Sequence, residues 1–109
     1  PKIKIIAVDA ATSFYSTHGR PTPYALEGIG IDFYSPCLNL NVIDEIIPVT
    51  DADGIGTLKE LSKNGMLVGP SSGAVAVAAT QYFEQTKESG VAVMIFGDSG
   101  RAYLSKGYY

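Results

Sequence analysis

The segment Gly69-Pro70-Ser71-Ser72-Gly73 constrains this chain more than any other. It follows the apolar stretch Met66-Leu67-Val68 and precedes an alanine-rich run with Val75, Ala78, Ala79 and Tyr82 on one stripe. An apolar strand delivered through a glycine loop into a helix is an α/β arrangement. The spacing predicts a helix from about Ser72 to Lys87, ended by Gly90. Hydroxyls and free amides converge at the start of such a helix, which suits an anion or a polar ring atom. The plainer reading is an N-cap, with Ser71 or Ser72 satisfying the first-turn amides and binding nothing. The trailing Gly-Lys-Ser/Thr of a P-loop is missing.

The rest of the chain repeats the alternation. Ile3, Ile5, Ile6 and Val8 predict a strand over 3–8 that leads into Asp9, and residues 10–27 read as loop. Pro36 through Asn41 reads as turn or short helix. Glu45 to Val49 is a short strand, with Pro48 marking an edge or a strand end. Asp51 and Asp53 are placed to cap a helix carrying Ile55, Leu58 and Leu61, with Gly65 as its C′ residue. Val91 to Phe96 is apolar on both faces, as in a parallel strand covered on both sides. Gly97-Asp98-Ser99-Gly100 then opens a last helical turn. The predicted fold class is α/β, a parallel sheet with right-handed crossovers and helices on both faces. Ligands in such sheets gather at the carboxyl ends of strands, where Gly69–Gly73 and Gly97–Gly100 fall.

Composition excludes several functions. The 109 residues allow one small domain, and an apolar content of 46% is too high for a disordered chain. No apolar run approaches the roughly 18 residues of a membrane span. The net charge is −3 and the basic residues are scattered, so neither membrane nor nucleic acid is an expected partner. One cysteine, Cys37, excludes an internal disulfide and a multi-cysteine zinc site. It is expected in packing, in a reduced cytoplasmic setting. Pro1 to Lys4 holds no signal-peptide core. A strand begins almost at once and no Met precedes it, so a piece of a longer polypeptide is expected.

Other motifs are weaker. His18 stands alone in a loop and is expected solvated, and no metal site is predicted. Tyr103, Tyr108 and Tyr109 are expected in core or interface. Gly97-Asp98-Ser99-Gly100 is similar to the nucleophile tetrad of trypsin-like proteases, and His18, Asp51 or Asp53, and Ser99 even follow that family's order. That fold needs two β-barrels, and this chain is α/β and far too short. A strand-to-helix turn capped by Asp98 or Ser99 is the expectation. Gly28-Ile29-Gly30 lacks the third glycine of a dinucleotide fingerprint and reads as a tight turn or mobile loop.

Taken together, five segments resemble one family in sequence and spacing. They are Ile5-Ile6-Ala7-Val8-Asp9, Glu27-Gly28-Ile29-Gly30, residues 40–49, Leu67 through Ala74, and Phe96 through Ser105. The family is that of cysteine synthase and cystathionine β-synthase, pyridoxal-phosphate (PLP) enzymes of fold type II, whose fold is tryptophan synthase β-like. The resemblance runs from Lys2 to about Ser105. It implies that residues 1–109 are a single segment, the C-terminal part of a PLP-dependent catalytic domain whose upstream remainder is absent from this sequence. The lysine that forms the internal aldimine would lie upstream, so no catalytic residue is expected in the segment and the segment alone is expected inactive. Ser71 matches the family's hydroxyl that bonds the pyridine nitrogen of the cofactor. Gly28, Ile29 and Gly30 match the loop on the substrate side. The implied reaction is β-replacement on serine or O-acetylserine with a sulfur nucleophile, in a homodimeric enzyme. Glu27 and the Asp32-Phe33 pair lean toward cystathionine β-synthase, and Asp98-Ser99-Gly100 leans toward cysteine synthase. The alternative is a non-catalytic α/β binding or interaction module derived from the same fold.

Overall fold

The computed structural model describes residues 3–109; Pro1 and Lys2, where the resemblance begins, lie outside the described residues. Strand β1 (Ile6–Ala10) pairs in parallel with β2 (Glu45–Val49), in register from Ile6 against Glu45 to Ala10 against Val49. Helix α1 (Asp51–Lys63) and helix α2 (Pro70–Thr86) follow, with short 3-10 helices at Leu40–Val42 and Gly100–Lys106. The predicted parallel sheet with helices is borne out.

The strand starts later than its apolar pattern suggested. Ile5 N donates to the Asp44 carboxylate at 2.7 Å, and Asp44 N donates to Ile5 O at 2.9 Å. That two-way grip satisfies Ile5 just ahead of the ladder, so regular pairing begins at Ile6. At the far end, buried Asp9 accepts the Ser13 and Ser16 hydroxyls and folds the following loop back on the strand.

Both helix starts differ from expectation. Thr50, not Asp51 or Asp53, caps α1: its Oγ1 accepts from Asp53 N at 3.2 Å and donates to the Asp53 carboxylate at 2.8 Å. Gly69 is the N-cap of α2, with no side-chain capping bond, and Pro70 occupies the first turn. Proline's fixed φ suits that place, and its missing N–H is no loss there. The N-cap reading of Ser71 or Ser72 is therefore incorrect, because both lie inside the helix. At its other end α2 stops at Thr86, with Lys87 in the left-handed region, before Gly90 is reached.

The core lies between the sheet and α2. Ile47 and Val49 of β2 meet Ala74, Val77, Ala78 and Tyr82 of α2, with Leu26 from the long loop. The buried face of α2 is rotated from the predicted stripe, leaving Val75 and Ala79 half-buried. Where α1 crosses α2 the backbones are close. A Cβ at Gly73 would collide with the Gly54 carbonyl and lie 2.9 Å from the Leu58 Cβ. Leu58 itself is fully buried.

Val91 to Phe96 is not a strand. Val91, Val93 and Ile95 are 93%, 84% and 74% exposed. A strand apolar on both faces needs ladder partners and a layer on each side. The described residues supply neither; an antiparallel bridge between Val68 and Ser99 is what remains of pairing in this region. Met66-Leu67-Val68 is likewise reduced to that bridge.

Gly73→Ala is expected to force the α1–α2 crossing apart and to cost roughly 1–3 kcal/mol, as overpacking does. Denaturant unfolding of the variant beside the parent measures it; an unchanged midpoint would mean the crossing is looser than described.

Candidate functional site

Ser71 lies half-buried in the first turn of α2. Its hydroxyl makes no hydrogen bond among the described residues. Next to it, the Ser72 hydroxyl is wholly buried and has no partner. A buried polar group without a partner is costly and calls for an explanation. The first turn of α2 also has no side-chain cap: Pro70 lacks an N–H, Ser72 N donates to Gly69 O at 3.0 Å, and the Ser71 amide has no side-chain acceptor.

A loop faces this turn. Asp51, at the start of α1, accepts from Ala25 N at 2.7 Å and Leu26 N at 3.0 Å. Leu26 is buried beneath Gly54. So anchored, the chain reaches Gly28 and Gly30 with φ of 83° and 81°, a region that glycine enters freely. A Cβ at Gly28 would stand 3.4 Å from the Ser71 Cβ and 3.5 Å from its Oγ. Those are ordinary van der Waals distances, so the positive φ rather than crowding is what favours glycine at this position. Gly30 lies against the Tyr24 ring, and Ile29 packs toward the core. Of the four residues singled out by resemblance, the structure brings Gly28 and Ser71 together and turns Ile29 away from them.

The Gly97–Gly100 turn closes the same corner. Gly69 N donates to Asp98 O at 3.0 Å, and Gly100 N donates to Leu67 O at 3.1 Å. The Asp98 carboxylate accepts from the Tyr103 hydroxyl at 2.6 Å, and that bond above all pushes the Tyr103 phenol up to about 12. The Ser99 hydroxyl accepts from Arg101 N at 3.2 Å, so Ser99 is the expected cap of the last 3-10 helix.

No protease-like triad exists among the described residues. Ser99 is committed to Arg101, Asp51 to the Ala25 and Leu26 amides, and Asp53 to Thr50. His18 is exposed in its loop, as expected. Cys37 is exposed rather than packed, because the turn that carries it runs outside the core.

Sequence reasoning missed three contributors. Asp51 reads as a helix cap, yet it anchors the loop. The Glu27 carboxylate pairs with Lys106 at 2.7 Å, which holds it below the usual carboxylate range. The Tyr108 hydroxyl reaches Ala25 O at 2.7 Å, and burial pushes that phenol up. Each joins residues too distant in sequence for any spacing rule to connect; the cluster of tyrosines was the one visible signal.

No family profile matches the chain. Curated relatives and solved structures do. The cysteine synthase of Helicobacter pylori is 38% identical over 110 residues, which cover 100% of this chain and 36% of that protein. The crystal structure of O-acetylserine dependent cystathionine β-synthase from Helicobacter pylori superposes with a TM-score of 0.87 at 38% identity, covering 98% of this chain and 35% of that one. Cysteine synthase from Entamoeba histolytica gives a TM-score of 0.89 at 32% identity, covering 98% and 32%. The chain thus spans about a third of the length of the proteins it matches.

Tyr103 is held protonated relative to a free tyrosine, so its bond to Asp98 contributes to stability up to the ordinary phenol value. The contribution is lost as pH rises from there through about 12. Tyr24, Tyr108 and Tyr109 are also raised, chiefly by burial, so phenolate absorbance titration should show several late-titrating tyrosines, of which one disappears in Tyr103→Phe; a Tyr103 titrating at the ordinary value would refute the bond.

Proposed function

We propose that this chain, which belongs to the cysteine synthase/cystathionine β-synthase family, supplies the C-terminal third of a PLP-dependent catalytic core. The observation that carries the reading is the meeting of Gly28 and Ser71 at the uncapped start of α2. The residues suit the cofactor's ring. Ser71 offers a half-exposed, unengaged hydroxyl to the pyridine nitrogen. PLP, when bound, supplies an electron sink for replacing the β-substituent of serine or O-acetylserine by a sulfur nucleophile.

The chain's own residues shape that chemistry. A neutral hydroxyl at the ring nitrogen does not hold a proton there as a carboxylate would. Ser71 thereby moderates the electron demand, which suits β-elimination more than transamination. The Gly28–Gly30 backbone can close over a small amino-acid substrate and exclude water. The cofactor-bearing lysine is expected upstream. Lys4, Lys63 and Lys106 are paired with Glu88, Glu60 and Glu27. The reading carries with it a homodimeric enzyme in a reducing, cytoplasmic setting, to which the free thiol of Cys37 is suited.

Borohydride reduction of the purified protein, followed by denaturing intact-mass spectrometry, is expected to show a reduced pyridoxyl adduct on a chain that contains this segment. A lone 11.5 kDa species without adduct would instead favour the non-catalytic module. Ser71→Ala in the enzyme should shift the cofactor absorbance and lower turnover. Stability should change by about 0.5 kcal/mol or less, since this hydroxyl caps nothing. An unaltered spectrum would remove Ser71 from the ring.

A further inference from the structure

The two walls of the site, the Gly28 loop and the first turn of α2, are separate stretches of chain. Consecutive tyrosines are tied to both. The Tyr108 hydroxyl donates to Ala25 O at 2.7 Å and stands 3.2 Å from the Glu27 carboxylate, just ahead of Gly28. The Tyr109 hydroxyl donates to Val68 O, immediately before the N-cap Gly69. Lys106 adds its ion pair to Glu27 at 2.7 Å. Tyr108 is buried, with the Tyr103 ring edge-on to it at 6.2 Å, and the Tyr109 ring lies against Gly100. A segment that grips one wall with one residue and the other wall with the next fixes the gap between them.

We propose that Tyr108 and Tyr109 form a bracket that sets the separation between the Gly28 loop and Ser71, and so act as positioning residues for the amino-acid substrate. The proposal rests on the functional reading above. The physical reason is entropic. A loop with two left-handed glycines is soft, and its order must come from bonds made at its flanks. Without them, substrate has to order the loop itself, which weakens binding before it slows chemistry.

The test compares Tyr108→Phe and Tyr109→Phe in the enzyme that contains this chain. Phenylalanine keeps the ring packing and removes only the hydroxyl. Hydrogen exchange at the amides of residues 26–31 should quicken roughly three- to tenfold in Tyr108→Phe, the value of one hydrogen bond. Tyr109→Phe should do the same at residues 69–73. Each variant should raise KM for the amino-acid substrate by a similar factor while kcat and the cofactor spectrum hold. Exchange Glu27→Lys with Lys106→Glu should restore what Glu27→Lys alone loses. Unchanged local exchange and KM in both tyrosine variants would overturn the bracket, and so would a uniform rise in exchange across the molecule. The exchange readout needs no cofactor. If the parent shows no pyridoxyl adduct, the functional reading fails while the bracket is still decided.

Discussion

The crossing of α1 and α2 at Gly54 and Gly73 governs everything else in this structure. Gly73 presses on the Gly54 carbonyl, Leu58 fills the space beside it, and Leu26 is seated beneath Gly54 from the other side. Van der Waals contacts of this kind are individually small, but at close-packed density the neighbours cannot shift independently. Ser71 stands two residues before Gly73, and Gly28 two residues after Leu26. A contact that fixes Gly73 and Leu26 therefore also brings Ser71 and Gly28 together. The site is a by-product of how two helices and a loop pack.

Polar ties then finish what packing begins. Asp51 accepts from two loop amides, the exposed Ala25 N and the part-buried Leu26 N, and it does so from the first residue of α1. The last segment adds a second set of bonds from Lys106, Tyr108 and Tyr109. The start of α2 remains the exception, with a glycine cap and an orphaned Ser72 hydroxyl. That exception is what the proposed cofactor role of this turn rests on.

Much of the fold was legible from residue patterns. The β2 strand, both helices and the parallel sheet follow from apolar spacing, and the Gly65 position agrees with its φ of 88°. Most of the differences share one cause. The Gly69 start of α2, the late start of β1 and the rotated face of α2 each depend on a partner elsewhere in the molecule, which local propensity does not contain, whereas the Thr50 cap is a local bond to Asp53. Val91 to Phe96 is the clearest case. Its composition suits a strand covered on both sides, yet the described residues leave it exposed. The apolar pattern states what the segment needs, and the surroundings decide whether it is met.

By itself the sequence carried the resemblance to cysteine synthases and cystathionine β-synthases, the α/β class and the choice of Ser71, Gly28, Ile29 and Gly30 as candidates. These rest on short motifs whose residue types are dictated by local backbone demands. Tertiary structure alone decided that Gly28 meets Ser71, that Ile29 turns inward, and that Asp51, Glu27, Lys106, Tyr108 and Tyr109 hold the two walls. Those are contacts across 25 to 83 residues of chain. They arise from the packing of one surface on another, and no spacing within a single segment encodes them.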